Sequence, residues 1–561
     1  MKDVLKSKYV KLALALVAWL FVEFLIFYVT LPPLNFYSKD FWGFLIFSVV
    51  LLAAALGLAL FRDSFFQINQ GKNGKTSVKL LLHKTLAGKI LIAVAAGLVA
   101  VLFLGGIVSS TAFNARRYAS VIEVNERDFA TDMPRTDEVT NIALLDTDSA
   151  RILGTRKLGE LADVVSQFIV SENYTQINYH SIPKKVASLE YDGFFKWLNN
   201  KDTGIPGYIM VDAVQNFAEY VKLPEGKGIR YTESALFGQD LERVLRFAYP
   251  TKIFGTFSFE VNEEGHPYYV VPCMKPRVGL FGAMDVSEVI LFDPTDGTHE
   301  MLSLGEVPTW IDIVYHGDLV CQKYDWQGTL AGGFLNSLFA KSGCKQTTDD
   351  FGYLMLDNDV WYFTGVTSVS EDASNIGFIL SNARTGEYKY YPVNGAEEHS
   401  AMRAAEGEVQ EKSYIASFPA LVNIANEPSY IMVLKDKGGL VKLYALVNVE
   451  QYNIVATGNT QAEAIAAYTR LLSQAGIDTS DASSATTATV TVEEVRFLDT
   501  AGGVTVYITA TPEGGTRTLY KMAFREEAEE LLLLRAGDSL TVTSLPTEKN
   551  SVREITEFFV N

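Results

Sequence analysis

The sequence predicts an N-terminal three-helix transmembrane anchor, then an extracytoplasmic α+β region of repeated helix and antiparallel-sheet units, and last a small all-β barrel. Three observations carry this. Three apolar runs of membrane-spanning length stand in the first 111 residues. Short runs of β-branched and aromatic residues then recur as hairpin, loop, hairpin, helix. A Ser/Thr/Ala/Asp stretch finally sets off a block with a different strand order.

The apolar runs are Tyr9–Leu31, Phe41–Phe61 and Ile90–Ser110. Each can cross a hydrocarbon core of ~30 Å at ~1.5 Å per residue. The first is too long for a signal peptide and ends in Leu31-Pro32-Pro33, without a small-residue cleavage site. Lys2, Lys6, Lys8 and Lys11 precede it, and Arg62, Lys72, Lys75, Lys79, Lys84 and Lys89 lie between the second and third runs. Between the first two runs there is only Lys39. Basic residues favour the cytoplasmic side, so a multi-pass plasma-membrane protein is expected, with its N-terminus inside and residues 112–561 outside. Arg116 and Arg117 argue weakly against this and are outnumbered.

Charge divides the chain at the same place. Removing the 11 basic and 4 acidic residues of 1–111 from the chain totals of 48 and 66 leaves 37 and 62, a net of about −25. Such a surface repels nucleic acid and anionic lipid, so the expected partners are the bilayer and an envelope protein, and not nucleic acid. A well-solvated exterior accounts for the same charge.

Glu23 lies inside the first run, and a carboxylate there is a candidate intramembrane polar site. A neutral glutamic acid hydrogen-bonded between helices is the plainer reading. Small residues four apart, Ala53 with Gly57, Ala93 with Gly97 and Ala96 with Ala100, allow close helix packing. Gly71-Lys72-Asn73-Gly74-Lys75-Thr76 looks like the end of a phosphate-binding loop, but position 69 is Asn where that loop needs glycine.

Past the anchor, strands are expected at 256–260, 267–272, 289–292 and 299–304, with a helix near Pro308–Val314. A second copy follows at 353–356, 360–364, 376–381 and 388–393, with a helix at Ala396–Ala405. A third runs through 420–424, 429–434, 441–447 and 452–457 to a helix at Thr460–Leu472. That last helix opens with Thr460 and Glu463 at capping-box spacing and carries Ala464, Ile465, Tyr468, Leu471 and Leu472 on one face. The apolar face of a four-stranded antiparallel sheet is its natural cover. Pro267-Tyr268-Tyr269-Val270-Val271 and Pro428-Ser429-Tyr430-Ile431-Met432 echo one another, with Asp359-Val360-Trp361-Tyr362-Phe363 in the matching place. Pro206-Gly207-Tyr208-Ile209-Met210 suggests a degenerate earlier copy, between helices at Leu189–Leu198 and Gln239–Phe247. The tyrosines could form a ligand face; sheet packing is the commoner use.

These units, with hairpins at Asp293-Pro294-Thr295-Asp296-Gly297 and Thr385-Gly386-Glu387, resemble PepSY-type domains of the cystatin-like class over residues 160–472. The third copy departs, with Asn448-Val449-Glu450-Gln451 at its turn. PepSY domains occur in protease propeptides and in membrane-anchored envelope proteins of bacteria. The whole layout is similar to polytopic membrane proteins of Gram-positive bacteria, a likeness that implies location and no activity.

Gln474–Ala488 reads as a linker. Strands at 489–498, 504–510 and 516–524, a helix at Arg525–Leu534, and strands at 539–545 and 552–559 follow the order of an OB-like barrel. Glu526, Glu527, Glu529 and Glu530 and the lack of a basic groove point to a structural or protein-binding barrel. The expected organisation is 1–111 anchor, 112–255 α+β region with the degenerate copy, units at 256–352, 353–419 and 420–473, linker 474–488, and barrel 489–561.

The chain contains no Gly-x-Ser-x-Gly or His-Glu-x-x-His, and its six histidines lack metal-ligand spacing, so no catalytic residue, cofactor or metal is assigned. Asp293 with Asp296, and Asp357 with Asp359, fall short of a calcium loop. Glu397, Glu398 and His399 open a helix, where acidic residues are stabilised anyway. Cys321 and Cys344 flank the apolar segment Leu330–Phe339 and form a candidate disulfide that leaves Cys273 over. Buried free thiols are the alternative. Two function classes remain: a non-enzymatic interaction, sensing or scaffolding protein that acts on a partner such as a protease or on envelope assembly, and an envelope enzyme or transporter accessory whose site forms only in three dimensions. The second requires a cleft of converging polar groups with shifted pKa values.

Overall fold

The computed structural model describes residues 8–60, 66–70, 76–80, 86–136, 142–348, 350–369, 374–477, 479, 486–500, 503–512, 515–524, 530–546 and 552–560. Among these residues, helices α1 (Lys8–Thr30), α2 (Lys39–Leu60) and α3 (Leu86–Val108) are long and apolar enough to cross a membrane. The Trp19 indole N–H donates to the Ser48 carbonyl at 3.3 Å, and the Phe27 and Phe44 rings meet at 6.3 Å, joining α1 to α2. Val17, Phe21, Phe47, Val99 and Phe103 point outward, an apolar exterior suited to lipid. A Cβ on Gly97 would meet nothing within 4 Å, so that position is not where backbones touch. Close approach occurs at Gly105, where a Cβ would stand 2.7 Å from the Phe281 ring and 2.9 Å from Leu280.

The α+β region is tied to one end of this bundle. The Arg246 guanidinium donates to the Leu31 carbonyl at 2.9 Å, and the Leu34 N–H donates to Pro250 at 2.7 Å. At the end of α3 the Ser109 hydroxyl oxygen accepts the backbone N–H groups of Leu280 and Phe281 at 2.8 and 3.1 Å. The end of α1, the start of α2 and the end of α3 therefore share a side with the α+β region. The strand pair Phe66–Gln70 and Thr76–Leu80 lies in the connection between the other ends of α2 and α3. The phosphate-loop lookalike at 71–75 falls outside the described residues.

Three sheets share one strand order at their core; the second also takes in Val124–Glu126, parallel to Tyr388–Tyr391, and Gly395–Ala396, paired with Ser374–Asn382. In the first, Ile253–Phe254 and Ser258–Val261 both pair with Pro267–Val278, which pairs with Gly282–Phe292, which pairs with His299–Ser303. In the next, Lys345–Thr347 and Gly352–Leu356 pair with Asp359–Ser368, followed by Ser374–Asn382 and Tyr388–Tyr391. In the third, Ile415–Ala416 and Ala420–Ile424 pair with Glu427–Lys435, followed by Val441–Asn448 and Val455–Gly458. A bulge falls at the corresponding point of each long strand: Cys273/Met274, Val366/Thr367 and Leu434/Lys435. Upstream, Phe168–Val170 and Thr175–Tyr179 pair with Leu189–Tyr191 and Ile182–Ala187, which are broken only at Ser188, and Gly207–Asp212 and Phe217–Lys222 complete the same order.

Local chemistry explains the recurrence. The first hairpin turns on His180-Ser181, Asp357-Asn358 and Ala425-Asn426, both residues of each pair at positive φ, the geometry of a two-residue type I′ turn. The second hairpin is closed each time by an Asx side chain. Asp212, Asp293, Asn382 and Asn448 accept the backbone N–H of Val214, Thr295, Arg384 and Gln451 at 2.9, 2.7, 3.0 and 2.7 Å.

Several elements differ from the sequence-based expectation. No helix forms at 308–314; the helix is Gly317–Leu330. A turn closed by the Ile311 N–H on the Pro308 carbonyl, and buried Asp312, whose carboxylate accepts the Asn178 N–H, keep that stretch out of a helix. Leu189–Tyr191 is strand, because its side chains are buried against Phe168, and the helix there is Phe194–Asn200. The phase of the unit also shifts. Val320 and Tyr324 pack on the sheet that follows them, as do Leu241 with Leu245 and Ala401 with Ala405, so a helix opens each unit. Helix Gln461–Gln474 adds a second cover to the last sheet through Ile465, Tyr468 and Leu472. Tyr208, Tyr269 and Tyr430 are buried in the sheets, which assigns these strand tyrosines to packing.

The C-terminal strands close a barrel in the order Thr486–Thr500, Gly503–Pro512, Thr518–Ala523, Val552–Val560, Ser539–Pro546. Val490, Val492, Val506, Ile508, Tyr520, Leu540 and Val542 fill it. Of the helix expected at Arg525–Leu534, 525–529 lie outside the described residues and 530–532 form one 3-10 turn.

Candidate functional site

The strand Ile182–Ala187 carries two lysines in succession, and alternation sends them to opposite faces. Lys184 pairs with Asp212 at 2.8 Å. Lys185 turns the other way and is 1% exposed. Its Nζ lies 3.4 Å from the Thr147 hydroxyl and 4.6 Å from the centre of the Tyr353 ring. An ammonium group has three N–H donors, so this environment leaves it under-satisfied. Burial pushes the amine down to about 8, against the attraction of Asp146.

Lys185 forms the floor of a cleft of about 490 Å³. Asp146 and Thr147, at the start of helix Thr147–Gly159, form one wall. Asp350, Phe351 and Tyr353 supply the second, and His399, Met402, Ser417 and Lys435 the third. Asp146 caps its helix by accepting the Ser149 N–H at 2.8 Å and forms an ion pair with Lys435. Burial raises the Asp146 carboxyl, but the Lys435 and Ser149 contacts outweigh it and hold the carboxyl below the usual range. Its charge is thus already spoken for. Next to this cleft, Glu398 is fully buried and accepts the Gly365 N–H. Burial pushes its carboxyl up to about 6. A Cβ on Gly365 would stand 2.8 Å from that carboxylate, so glycine makes room for it.

A second cleft of about 570 Å³ lies where hairpin turns of three units converge, at His180, Ser181, Glu263, Asp357 and Asn358. His180 meets Glu263 at 3.1 Å, Asn178 donates to the Asn358 carbonyl at 2.7 Å, and Arg384 clasps Asp359. Asp312 packs beside Glu260, whose carboxylate accepts the N–H groups of Asp312 and Ile313 at 2.8 and 3.1 Å. Burial raises both carboxyls, that of Glu260 to about 8, and the Glu260 charge raises Asp312 further. These groups lock neighbouring units together.

Glu23 is 8% exposed on α1, and both carboxylate oxygens are buried without a hydrogen-bond partner. Cys321 and Cys344 are free thiols, as is Cys273. The Cys344 thiol donates to the Thr329 carbonyl at 3.4 Å, and burial pushes the Cys321 thiol up to about 12. Among the described residues no three His, Cys, Asp or Glu side chains gather as a metal site. The sequence reading passed over Lys185, because it placed no strand at 182–187 and alternation alone does not say which lysine is buried. Compared with known proteins, the chain matches no family model and no curated protein.

Proposed function

We propose that this is a membrane-anchored, extracytoplasmic, non-enzymatic interaction protein of the cell envelope, which binds, senses or restrains a protein partner such as a protease or an assembly factor. In this reading the helix-opened sheets are copies of one PepSY-like unit, and the C-terminal domain is an OB-like structural barrel. The shared strand order, the matching bulges and the Asx-closed hairpins support a common unit. The barrel order, with Thr518–Ala523 parallel to Val552–Val560, supports the second assignment.

The observation that carries the reading is the Lys185 cleft. It is built by side chains from three units, so it exists only in the assembled array and presents a composite surface. An under-satisfied buried cation on its floor suits a partner's carboxylate. The same amine favours a second reading as an envelope enzyme or transporter accessory, because a lysine with a lowered pKa is also a nucleophile or base. Crosslinking in native membranes followed by mass spectrometry separates the two. Recovery of an envelope protein supports the first. No recovered partner, together with turnover of a small substrate by the purified protein, replaces it with the second.

A further inference from the structure

Exposed phenylalanine and leucine side chains gather in two clusters on the α+β region that connect to the ends of the apolar helices; Ile415 and Tyr452 are exposed singly elsewhere. The first is the π-helical turn Asn336–Ala340, where Leu335, Leu338 and Phe339 are exposed, Phe339 by 76%. Phe334 and Trp326 pack against Tyr118, whose ring lies 5.1 Å from that of Trp326. The Tyr118 hydroxyl donates to the Ser109 carbonyl at 2.7 Å, one residue past α3. The second comprises Phe194, Phe195 and Leu198 on helix Phe194–Asn200, with Phe237 beside them, Phe195 being 74% exposed. The Trp197 ring lies tilted against that of Phe237, 5.6 Å away. The Phe237 carbonyl accepts from Arg243, which also donates to the Tyr28 carbonyl at the end of α1. Phe247, which shares helix Leu241–Ala248 with Arg243, meets the Phe27 ring at 5.7 Å.

We infer that these two patches are feet that seat the α+β region on the bilayer, inserting into the leaflet at the end of the helix bundle to which the region is tied. The occupant follows from continuity: each patch is linked through a short chain of contacts to the end of an apolar helix, the depth at which lipid headgroups meet acyl chains. Exposed phenylalanine and leucine there gain by burial ~5–10 Å into the interface. Arg116 and Arg117 are exposed just past α3, basic groups suited to lipid phosphates. Two feet linked to different helices add two points of lipid contact to the hydrogen bonds that already tie the array to the bundle. This rests on reading α1–α3 as membrane spans.

The test is parallax quenching in proteoliposomes of phosphatidylcholine with phosphatidylglycerol. The full chain is labelled with an environment-sensitive fluorophore at Phe339→Cys, Phe195→Cys, Phe47→Cys within α2, or Tyr452→Cys on the last unit. Cys273 and Cys344 are buried, and background labelling at Cys321 is subtracted with the unsubstituted chain. The inference expects shallow-doxyl lipid to quench labels at 339 and 195 several-fold more than the label at 452, and labels at 47 to be quenched by deep-doxyl lipid. Quenching at 47 with none at 339 or 195, or with only one of the two, overturns the two-footed seating and leaves the spans intact. No quenching at 47 overturns the span reading itself. Energy transfer between labelled copies at 339 or 195, in place of lipid quenching, assigns the patches to self-association and overturns the inference.

Discussion

The Lys185 ammonium nitrogen stands 4.6 Å from the centre of the Tyr353 ring, a contact between two different sheet units across the floor of a shared cleft. Folding shifts the amine toward its neutral form, since burial lowers it from 10.5 to about 8, while below that value it stays a cation. Stability from this group is present above the unfolded value and lost as pH falls through the folded one. The full difference is about 3 kcal/mol at ~1.4 kcal/mol per unit. Lys185→Met removes that dependence. Thermal unfolding of the protein and the variant, compared between pH 8 and 10.5, should show the gap shrinking as pH rises. A constant gap contradicts the lowered amine.

Glu398 makes the opposite prediction on the acid side. Its folded carboxyl is raised to about 6 from 4.5, so its contribution is present below 4.5 and lost as pH rises through 6. The loss is about 2 kcal/mol. Glu398→Gln, which keeps the shape without the charge, should gain on the parent chain over that window. Equal pH profiles would show that Glu398 is not desolvated.

Much of the fold is legible in the residues. Strand Ala420–Ile424 falls where its apolar run begins and ends, and the three long apolar helices differ from the apolar runs by a few residues at each end. What escaped is tertiary. The stretch at 308–314 has helix-length spacing, but Asp312 is held by Asn178 from another unit, a contact no local pattern announces. The type I′ turns at His180-Ser181 and Ala425-Asn426 lack glycine, so the usual hairpin signal is missing. The Asx at 212, 293, 382 and 448 was readable and would have placed the upstream unit in phase. The Lys185 cleft needs three units side by side, and the burial of Glu398 needs Gly365 from a distant strand.

The barrel should fold without the rest. Among the described residues its strands pair only with one another, and its interior is filled by its own side chains. A fragment covering 486–561 is expected to give dispersed amide signals and one cooperative melt. A collapsed spectrum would show that helix Gln461–Gln474 is part of its core.

The anchor predicts a sidedness. Substituted cysteines at His399 and Tyr452 should react with an impermeant maleimide on intact cells, and one at Asn69, between α2 and α3, only after lysis. The reverse pattern would turn the whole α+β region to the cytoplasm.

The central claim is that the composite cleft engages another envelope protein. A photocrosslinking amino acid at Ile415, on the cleft rim and exposed, tests it most directly in native membranes. The account predicts one discrete crosslinked protein at Ile415, lost with Lys185→Met and absent when the crosslinker is placed at Tyr452. No crosslink at Ile415, or an identical product from both positions with Lys185 intact or replaced, would contradict it.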